Sequence, residues 1–530
     1  MNNSENKQSK AIRSIVIVGG GTAGWLAANH LAKQLKPTET NGIKITLVES
    51  PNIPTIGVGE GTVPMMRTSL QYLGISETDF IKDCEVTFKQ GIKFVDWLHS
   101  PEQANVNGCN NHYHHIFDYP LINEFEGLTA YWLKNLAGKD TSFVDAVAFQ
   151  GRVCDAGLAP KDITMPEFQG RTNYAYHLDA AKFSKLLCKH ATQSMGVNHI
   201  LADVARVELA DSGDIKSIYT DVQGEITADF FVDCTGFNAL LLGKTLGVKF
   251  IDKSDVLFAD SALAIQLPYE HPEQDIPSFT ISTAKQAGWI WDIGLTKRRG
   301  TGYVYSSKHC SDDDAEQVLR NYLGKSADQL DARKIDMNIG YRETFWHKNC
   351  AAIGLSQGFV EPLEATGLLV FDATAKMLAS QFPANREHMD VVAKNFNERV
   401  NSSWEKVIEF IKLHYFLSKR DDSQFWLDNR DPSTCPTALL ERLELWKYQL
   451  PSAYDFASGF EIFNLENYLY VLYGMQFNTD LSAMAYRYTE SDKAVDFFKQ
   501  INQHSLSLTE QLPNHRELIN KIHRFGLQKR

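Results

Sequence analysis

The chain lacks paired cysteines, clustered basic residues and any long apolar run. Its eight cysteines are scattered and form no CxxC pair, so they fit neither a zinc site nor a disulfide framework. The net charge of −12, with only one short basic run at 297–299, argues against a nucleic-acid partner. No segment approaches the roughly 18 uninterrupted apolar residues of a membrane helix, and the polar first 14 residues lack the apolar core of a signal peptide. We therefore expect a soluble, cytoplasmic protein with reduced thiols, no metal and no membrane partner.

The remaining pattern predicts an α/β protein of two closely packed modules, since 530 residues exceed what one hydrophobic core usually supports. Strand, helix and strand are predicted at 12–18, 22–36 and 43–48. Residues 70–98 look mainly helical, with Lys89 near their end, and 173–190 look helical as well. Between them, 99–172 read as loops that form a covering insertion. Further strands are expected within 215–354, and helical periodicity dominates at 365–418 and 437–525.

A glycine motif for nucleotide binding lies between the first predicted strand and helix. Gly19, Gly21 and Gly24 form GxGxxG, and Glu49 ends the second strand. The first glycine permits a tight turn, the second lets the backbone approach a pyrophosphate, and the third lets helix and strand pack closely. The helix N-terminus offers N–H groups to the phosphates, and Glu49 can accept hydrogen bonds from a ribose diol. This context predicts a dinucleotide site.

Two later segments favour FAD over NAD. Residues 228–236 read as a buried strand that ends in glycine, of the kind flavoproteins place beside the dinucleotide. Residues 351–367 run from a strand through a turn into a helix whose N-terminus could face a reduced, anionic flavin ring. No second GxGxxG with the same context occurs, so we expect the reducing equivalents to come from another protein.

Eight segments, in order along the chain, resemble the flavin-dependent tryptophan halogenase family. They are IVIVGGGTAGWLAA (15–28), GVGEGTVP (57–64), FKQGIKF (88–94), NYAYHLDAAKF (173–183), DCTGF (233–237), GWIWDI (288–293), GYVYSS (302–307) and GFVEPLEATG (358–367). The resemblance implies a glutathione-reductase-like, Rossmann-type FAD domain at 1–370 and a mostly helical module at 371–530. It implies FADH2 from a separate flavin reductase, which acts by transient contact or by diffusion of FADH2 alone, together with O2 and chloride or bromide. A homodimer is left open.

The motif and the resemblance together assign the FAD contacts. These are Gly19, Gly21, Thr22, Ala23, Gly24, Glu49, Gly57, Val58, Gly59, Glu60, Gly354 and Leu355. By the same resemblance, Thr366 and Gly367 offer backbone N–H groups to a halide at a helix start. The family has a serine beside its active glutamate where this chain has Ala365, which weakens any role for that hydroxyl.

The resemblance maps the family's active lysine onto Lys89 and its active glutamate onto Glu364. A primary amine in a dry pocket can donate a hydrogen bond to hypohalous acid or form a haloamine with it, and either would hold the oxidant beside one substrate carbon. Glu364 would orient the halogen species or remove the ring proton. The alternatives are an exposed helix lysine and a carboxylate placed at a helix N-terminus for its charge.

Aromatic residues complete the predicted substrate site. His115 and Phe117 match the family residues that sandwich the indole, with ordinary loop histidines as the alternative. Trp289 and Trp291 alternate on a strand, so both project from one face, and the resemblance makes them a wall between flavin and substrate. A pair of core residues is the other interpretation. The family's proline after this strand is Gly294 here, and we expect little loss from that change.

The sequence therefore predicts a halogenase that acts on an electron-rich, indole-type aromatic. A flavin-dependent aromatic monooxygenase is the main alternative, and a flavin-carrying binding protein is the third. Neither alternative requires a function for Lys89 and Glu364. The family stretch that grips free tryptophan does not align between residues 446 and 475, so a simpler indole, a phenol, a pyrrole or a peptide-bound residue stays open.

Overall fold

The structure is a computed structural model that describes residues 11–53, 59–107, 110–121, 127–456 and 462–529. Its strands are β1 Ser14–Val18, β2 Lys44–Glu49, β3 Gly59–Gly61, β4 Thr87–Lys89, β5 Gly91–Val95, β6 His112–Ile116, β7 Ala175–Asp179, β8 Asn198–Leu201, β9 Val204–Leu209, β10 Ile215–Thr220, β11 Gly224–Thr227, β12 Phe230–Asp233, β13 Phe250–Asp252, β14 Ser261–Pro268, β15 Thr280–Lys285, β16 Gly288–Gly294, β17 Arg298–Tyr305, β18 Arg333–Asp336, β19 Gly340–Arg342, β20 Trp346–His347, β21 Cys350–Ala352 and β22 Gly358–Phe359.

The α-helices cover the sheets and make up most of the C-terminal third. They are α1 Thr22–Leu35, α2 Met65–Leu73, α3 Glu77–Asp83, α4 Pro101–Asn107, α5 Thr129–Leu133, α6 Phe143–Val147, α7 Gln150–Asp155, α8 Ala180–Ser194, α9 Asp312–Leu323, α10 Thr366–Ser380, α11 Met389–Phe416, α12 Gln424–Asn429, α13 Thr437–Trp446, α14 Leu465–Gly474, α15 Ser491–Gln511 and α16 His515–Phe525. No described helix combines the length and the apolar character needed to cross a bilayer.

A six-stranded sheet in the order β20-β21-β12-β1-β2-β8 forms the nucleotide-binding part. Its strands pair in parallel except at β20, and the described strands β1, β2 and β12 are largely buried, as the apolar run at 12–18 predicts. In register, Val18 lies between Val48 and Asp233. The carboxyl ends of these strands therefore meet at one edge, which is where such sheets bind their ligands.

A seven-stranded sheet in the order β18-β14-β17-β16-β15-β5-β6 forms the second layer. It is antiparallel except where β15 pairs with β5. Both sheets and helices α10 to α16 contribute to one continuous hydrophobic core, which includes Ile17, Trp289, Trp404 and Ile519. The division of the chain at residue 370 stays a prediction, and this position falls inside α10.

The structure corrects three predictions of secondary structure. Residues 70–98 contain the end of α2, the short α3 and then β4 and β5, so Lys89 ends a strand and not a helix. The histidine-rich segment of 99–172 is strand β6, flanked by short helices, and not a loop. Residues 173–190 begin as β7, and α8 starts at Ala180 after the side chain of Asp179 accepts a hydrogen bond from the N–H of Lys182. In each case pairing with a distant strand overrides the local pattern.

Strand β7 holds β4 in place and is itself anchored by a buried carboxylate. Glu77 accepts hydrogen bonds of 2.7 Å from the hydroxyls of both Tyr174 and Tyr176, and its other oxygen lies 3.2 Å from the amine of Lys161. All four residues are fully buried. Because Lys89 pairs with Ala175 next to these tyrosines, this network fixes the strand from which the Lys89 side chain extends.

Candidate functional site

At two of the three glycines of GxGxxG a side chain would clash with nearby backbone, and the third glycine faces open space. A Cβ on Gly19, whose φ is +115°, would lie 2.1 Å from the carbonyl oxygen of Cys234, and a Cβ on Gly24 would lie 1.9 Å from the carbonyl oxygen of Gly19. Nothing lies within 4 Å of the corresponding point at Gly21. No side chain caps α1 at its start, so its first N–H groups are free to meet a phosphate.

The edge of the parallel sheet also brings together the other predicted FAD contacts. Glu49 ends β2 beside Gly20, where a Cβ would clash with its carboxylate, and its Oε2 lies 2.9 Å from Nε2 of His199. Gly354 has a φ of +85°, and a Cβ there would lie 2.5 Å from the Cβ of Ala23. Leu355 follows in the same turn. This cradle of close backbone approaches around an uncapped helix fits the pyrophosphate and ribose of FAD.

Strand β3 continues the predicted FAD-binding segment. Gly59 packs against Gly300, where a Cβ on either residue would meet backbone at 3.0–3.3 Å. Burial, together with the charge of Asp179, raises the pKa of Glu60 to about 7. Gly57 and Val58 lie outside the described residues.

Lys89 presents a buried amine, and no described residue accepts a hydrogen bond from it. The side chain is 1% exposed, so the alternative of an exposed helix lysine is wrong. Its Nζ lies 5.4 Å from the ring centroid of Phe117 and 3.2 Å from the point that a Cβ on Gly61 would occupy. Burial lowers the pKa of Lys89 to about 8, although the charge of Glu364 acts in the opposite direction.

Glu364 is held between two histidines from distant parts of the chain. Its Oε1 accepts hydrogen bonds from Nε2 of His414 at 2.8 Å and from Nδ1 of His115 at 2.9 Å, and its Oε2 lies 3.0 Å from the same His115 nitrogen. The carboxylate is 3% exposed. Burial alone would raise its pKa, but the charges and hydrogen bonds of the two imidazoles outweigh burial and lower the pKa to about 2.

The second nitrogen of each imidazole faces another acceptor. Nε2 of His115 lies 3.0 Å from Oδ1 of Asn467, and Nδ1 of His414 lies 2.9 Å from the carbonyl oxygen of Phe410. Each ring nitrogen of the two imidazoles thus lies within hydrogen-bond distance of a polar partner, and these contacts fix the orientation of both rings around the Glu364 carboxylate.

The ring of Phe117 lies next to the Lys89 amine, and Trp289 contacts the segment that carries Glu364. Trp289 and Trp291 belong to one core cluster while Ile290 between them belongs to another, so the two indoles share a face of β16 as predicted. Nε1 of Trp289 donates to Oε2 of Glu361 at 2.6 Å. The backbone N–H of Phe117 donates to the side chain of Gln150 at 2.9 Å.

The predicted halide contacts lie at the start of α10. This helix begins at Thr366 after Ala365, whose φ is +55°, and no side chain caps it. The Thr366 hydroxyl is buried and has no hydrogen-bond partner among the described residues. Gly367 is the second residue of the helix. Free N–H groups and an unpaired hydroxyl suit an anion here, and the assignment stays a prediction.

Three residues of the site were missed by the sequence analysis. Glu361 lies inside the quoted motif, three residues before Glu364, and that position was a usable signal. His414 and Asn467 reach the site from helices α11 and α14. No local pattern distinguishes either of them from an ordinary helix residue.

Comparison with known proteins agrees with this geometry. The profile of the family described as tryptophan halogenase matches residues 14–489. The tryptophan 6-halogenase SttH of Streptomyces toxytricini is 38% identical over 460 residues, which are 83% of this chain and 84% of SttH. The tryptophan 7-halogenase RebH of Lentzea aerocolonigenes is 32% identical over 536 residues, with 97% and 99% of the two chains covered. The crystal structure of a tryptophan halogenase from Shewanella frigidimarina is similar with a TM-score of 0.92 at 43% identity, and covers 98% of this chain and 99% of that one.

Proposed function

Because the chain belongs to the flavin-dependent tryptophan halogenase family, we propose that Lys89 and Glu364 carry the halogenation of an indole-type substrate. Enzymes of this family use FADH2 from a separate reductase with O2 and chloride or bromide. When bound, the reduced cofactor would supply, together with O2, the oxidation of halide to hypohalous acid, with oxidised flavin and water as the other products. The rest of the reaction depends on residues of this chain, which must capture the oxidant, orient the ring and take up its proton.

The observation that carries the proposal is the buried amine of Lys89, which has no hydrogen-bond partner within the part of the chain that the structure describes. Two routes are open to it. As a neutral amine, its lone pair attacks the halogen of hypohalous acid, an N–halogen bond forms as the halogen–oxygen bond breaks, and water leaves. As an ammonium, it donates a hydrogen bond to the oxygen of hypohalous acid and polarises the halogen. Both routes confine the oxidant beside one carbon of the substrate.

Glu364 serves the second half of the reaction. Attack by a ring carbon on the halogen forms the carbon–halogen bond as the halogen's bond to the Lys89 nitrogen or to oxygen breaks, which releases the amine or water, and the ring then loses a proton to restore its aromaticity. With a pKa near 2 the carboxylate is a weak base, but it stays ionised throughout the neutral range and can stabilise positive charge on the ring. His115 and His414 hold it in one orientation.

We propose that the substrate ring lies between His115 and Phe117, on the side of the tryptophan wall away from the flavin. Free tryptophan is the first substrate to test, because SttH and RebH are named as tryptophan halogenases. Simple indole is the second, because the family stretch that grips free tryptophan does not align between residues 446 and 475. The contact between Asn467 and His115 supports the proposal that the helical module at 371–530 completes this pocket.

The product mass tests the proposal. The protein is incubated with FAD, a flavin reductase, NADH, air and bromide, with tryptophan or indole as substrate. A product with the bromine isotope doublet supports halogenation. A gain of one oxygen atom would instead establish the hydroxylase, and unchanged substrate with bound flavin would leave only a flavin-binding protein.

A further inference from the structure

A second buried carboxylate lies three residues before Glu364. Glu361 is fully buried in the segment between β22 and α10. Its Oε2 accepts two hydrogen bonds of 2.6 Å, one from Nε1 of Trp289 and one from the hydroxyl of Tyr415. Its Oε1 is buried and has no partner among the described residues. Burial raises the pKa of Glu361 to about 7, although both hydrogen bonds and the charge of Lys412 act to lower it.

The directional contacts of this carboxylate are with Trp289 and Tyr415. Lys412 is the cation whose charge acts on Glu361. Its Nζ donates a hydrogen bond to Oδ1 of Asn429 at 3.1 Å and lies 4.8 Å from the ring centroid of Phe258. Burying a carboxylate without a close cation is unfavourable, and a neutral side chain would avoid that loss. The two hydrogen bonds therefore indicate that Glu361 serves to hold Trp289 and Tyr415.

Glu361 joins three elements at the tryptophan wall. Trp289 comes from β16, Tyr415 from α11, and Glu361 itself from the segment that continues to Glu364. On α11, His414 binds Glu364 and the adjacent Tyr415 binds Glu361, so the same segment is fastened to the helix at two points. The ring of Trp97 packs 5.1 Å from Tyr415 and 6.5 Å from Trp289. The N–H of the Trp289 indole donates to the Glu361 carboxylate and also interacts with the Tyr415 hydroxyl, and these contacts fix the plane of the ring.

We propose that Glu361 is a positioning residue for halogenation, which locks the Trp289 indole in the wall so that the oxidant reaches Lys89 and does not leak to solvent. This inference rests on the proposed function, in which the two tryptophans separate flavin from substrate. It predicts that loss of the carboxylate changes where the halogen goes more than how fast the flavin is oxidised.

The test compares Glu361→Leu, which removes both acceptors, with Glu361→Gln, which keeps an amide oxygen for the Trp289 N–H. Each variant is assayed with reductase, NADH, FAD and bromide in the presence of indole substrate and a bulky β-diketone that scavenges oxidant in solution. The measured quantities are brominated substrate divided by brominated scavenger and the sum of the two products. Glu361→Leu should lower this ratio about tenfold, the scale of one lost hydrogen bond to a charged group, with the sum of the two products maintained. Glu361→Gln should restore most of it.

A purely structural role would lower both brominated products together and leave their ratio unchanged, and that result would overturn the inference. Trp289→Phe keeps an aromatic ring but removes the N–H, so it should leak oxidant as Glu361→Leu does, and the double variant should leak no more than either alone. Additive effects would contradict the inference, as would an unchanged ratio in every variant. If Glu361→Leu fails to fold, Trp289→Phe and Tyr415→Phe carry the same comparison. If the wild-type protein brominates neither compound, the proposed function itself fails.

Discussion

Lys89 should titrate far below an ordinary lysine. Its pKa of about 8, against an ordinary value of 10.5, makes about a tenth of the amine neutral at pH 7 instead of roughly 0.03%. That is a gain of about 300-fold in the form able to make a haloamine. The cause is burial, and the nearby carboxylate of Glu364 partly opposes it. Removal of that charge by Glu364→Gln should therefore move the midpoint of Lys89 further down.

NMR of protein labelled with 13C at the lysine ε-carbons measures this directly, with Lys89→Ala to assign the signal. Lys412 offers an internal control, because burial lowers its pKa to about 8 as well, while its charged neighbours are Glu361, Asp431 and Asp255. Two signals should titrate near pH 8, and only that of Lys89 should respond to Glu364→Gln. A Lys89 midpoint near 10.5, or one that rises in the Glu364→Gln variant, would refute the account of the amine.

Three further predictions concern the carboxylate and the nucleotide site. His414→Ala leaves Glu364 with one imidazole donor, so kcat/KM for bromination should fall about 10- to 100-fold while flavin binding is unchanged. Steady-state kinetics measure this ratio, and an unchanged kcat/KM would contradict the role of His414. Gly24→Val places side-chain atoms against the carbonyl of Gly19 and should abolish FAD retention on gel filtration, so a variant that keeps its flavin would contradict the assigned cradle. Because the folded pKa of Glu364 is depressed to about 2, its contribution, on the order of 3 kcal/mol, is fully present above about pH 4.5 and lost as pH falls towards 2. Urea unfolding of wild type and Glu364→Gln should therefore converge on acidification, and a constant difference would disprove the linkage.

The nucleotide site could be predicted because its signals are local. Residues 15–49 contain a buried strand, three glycines with fixed spacing, a helix and a terminal acid. Each of these features can be recognised without knowledge of the rest of the fold. The family and its fold were predicted correctly from eight ordered segments, and the comparisons confirm both. The placement of Lys89 on a helix was wrong, because residues 87–95 take their strand conformation from pairing with β7, β6 and β15, far away in sequence.

The contacts of His115 and His414 with Glu364 could not be predicted from local patterns. His115 and Glu364 are 249 positions apart, and His115 and Asn467 are 352 apart. A histidine in a buried stretch of helix, such as the C-terminal part of α11, is equally compatible with a satisfied core residue, and only the packing of α11 against the segment after β22 turns His414 towards Glu364. The same holds for Tyr415 and the buried Glu361.

In the proposed reaction, the oxidant is made at the flavin and used at Lys89. A parallel assay of wild type and Lys89→Ala, with brominated indole and brominated scavenger measured in the same reaction, tests this separation. We expect the variant to brominate the scavenger at least as much as wild type does, but to form no substrate product above the background set by free oxidant. Bromination of the same ring carbon at the wild-type rate by Lys89→Ala would contradict it.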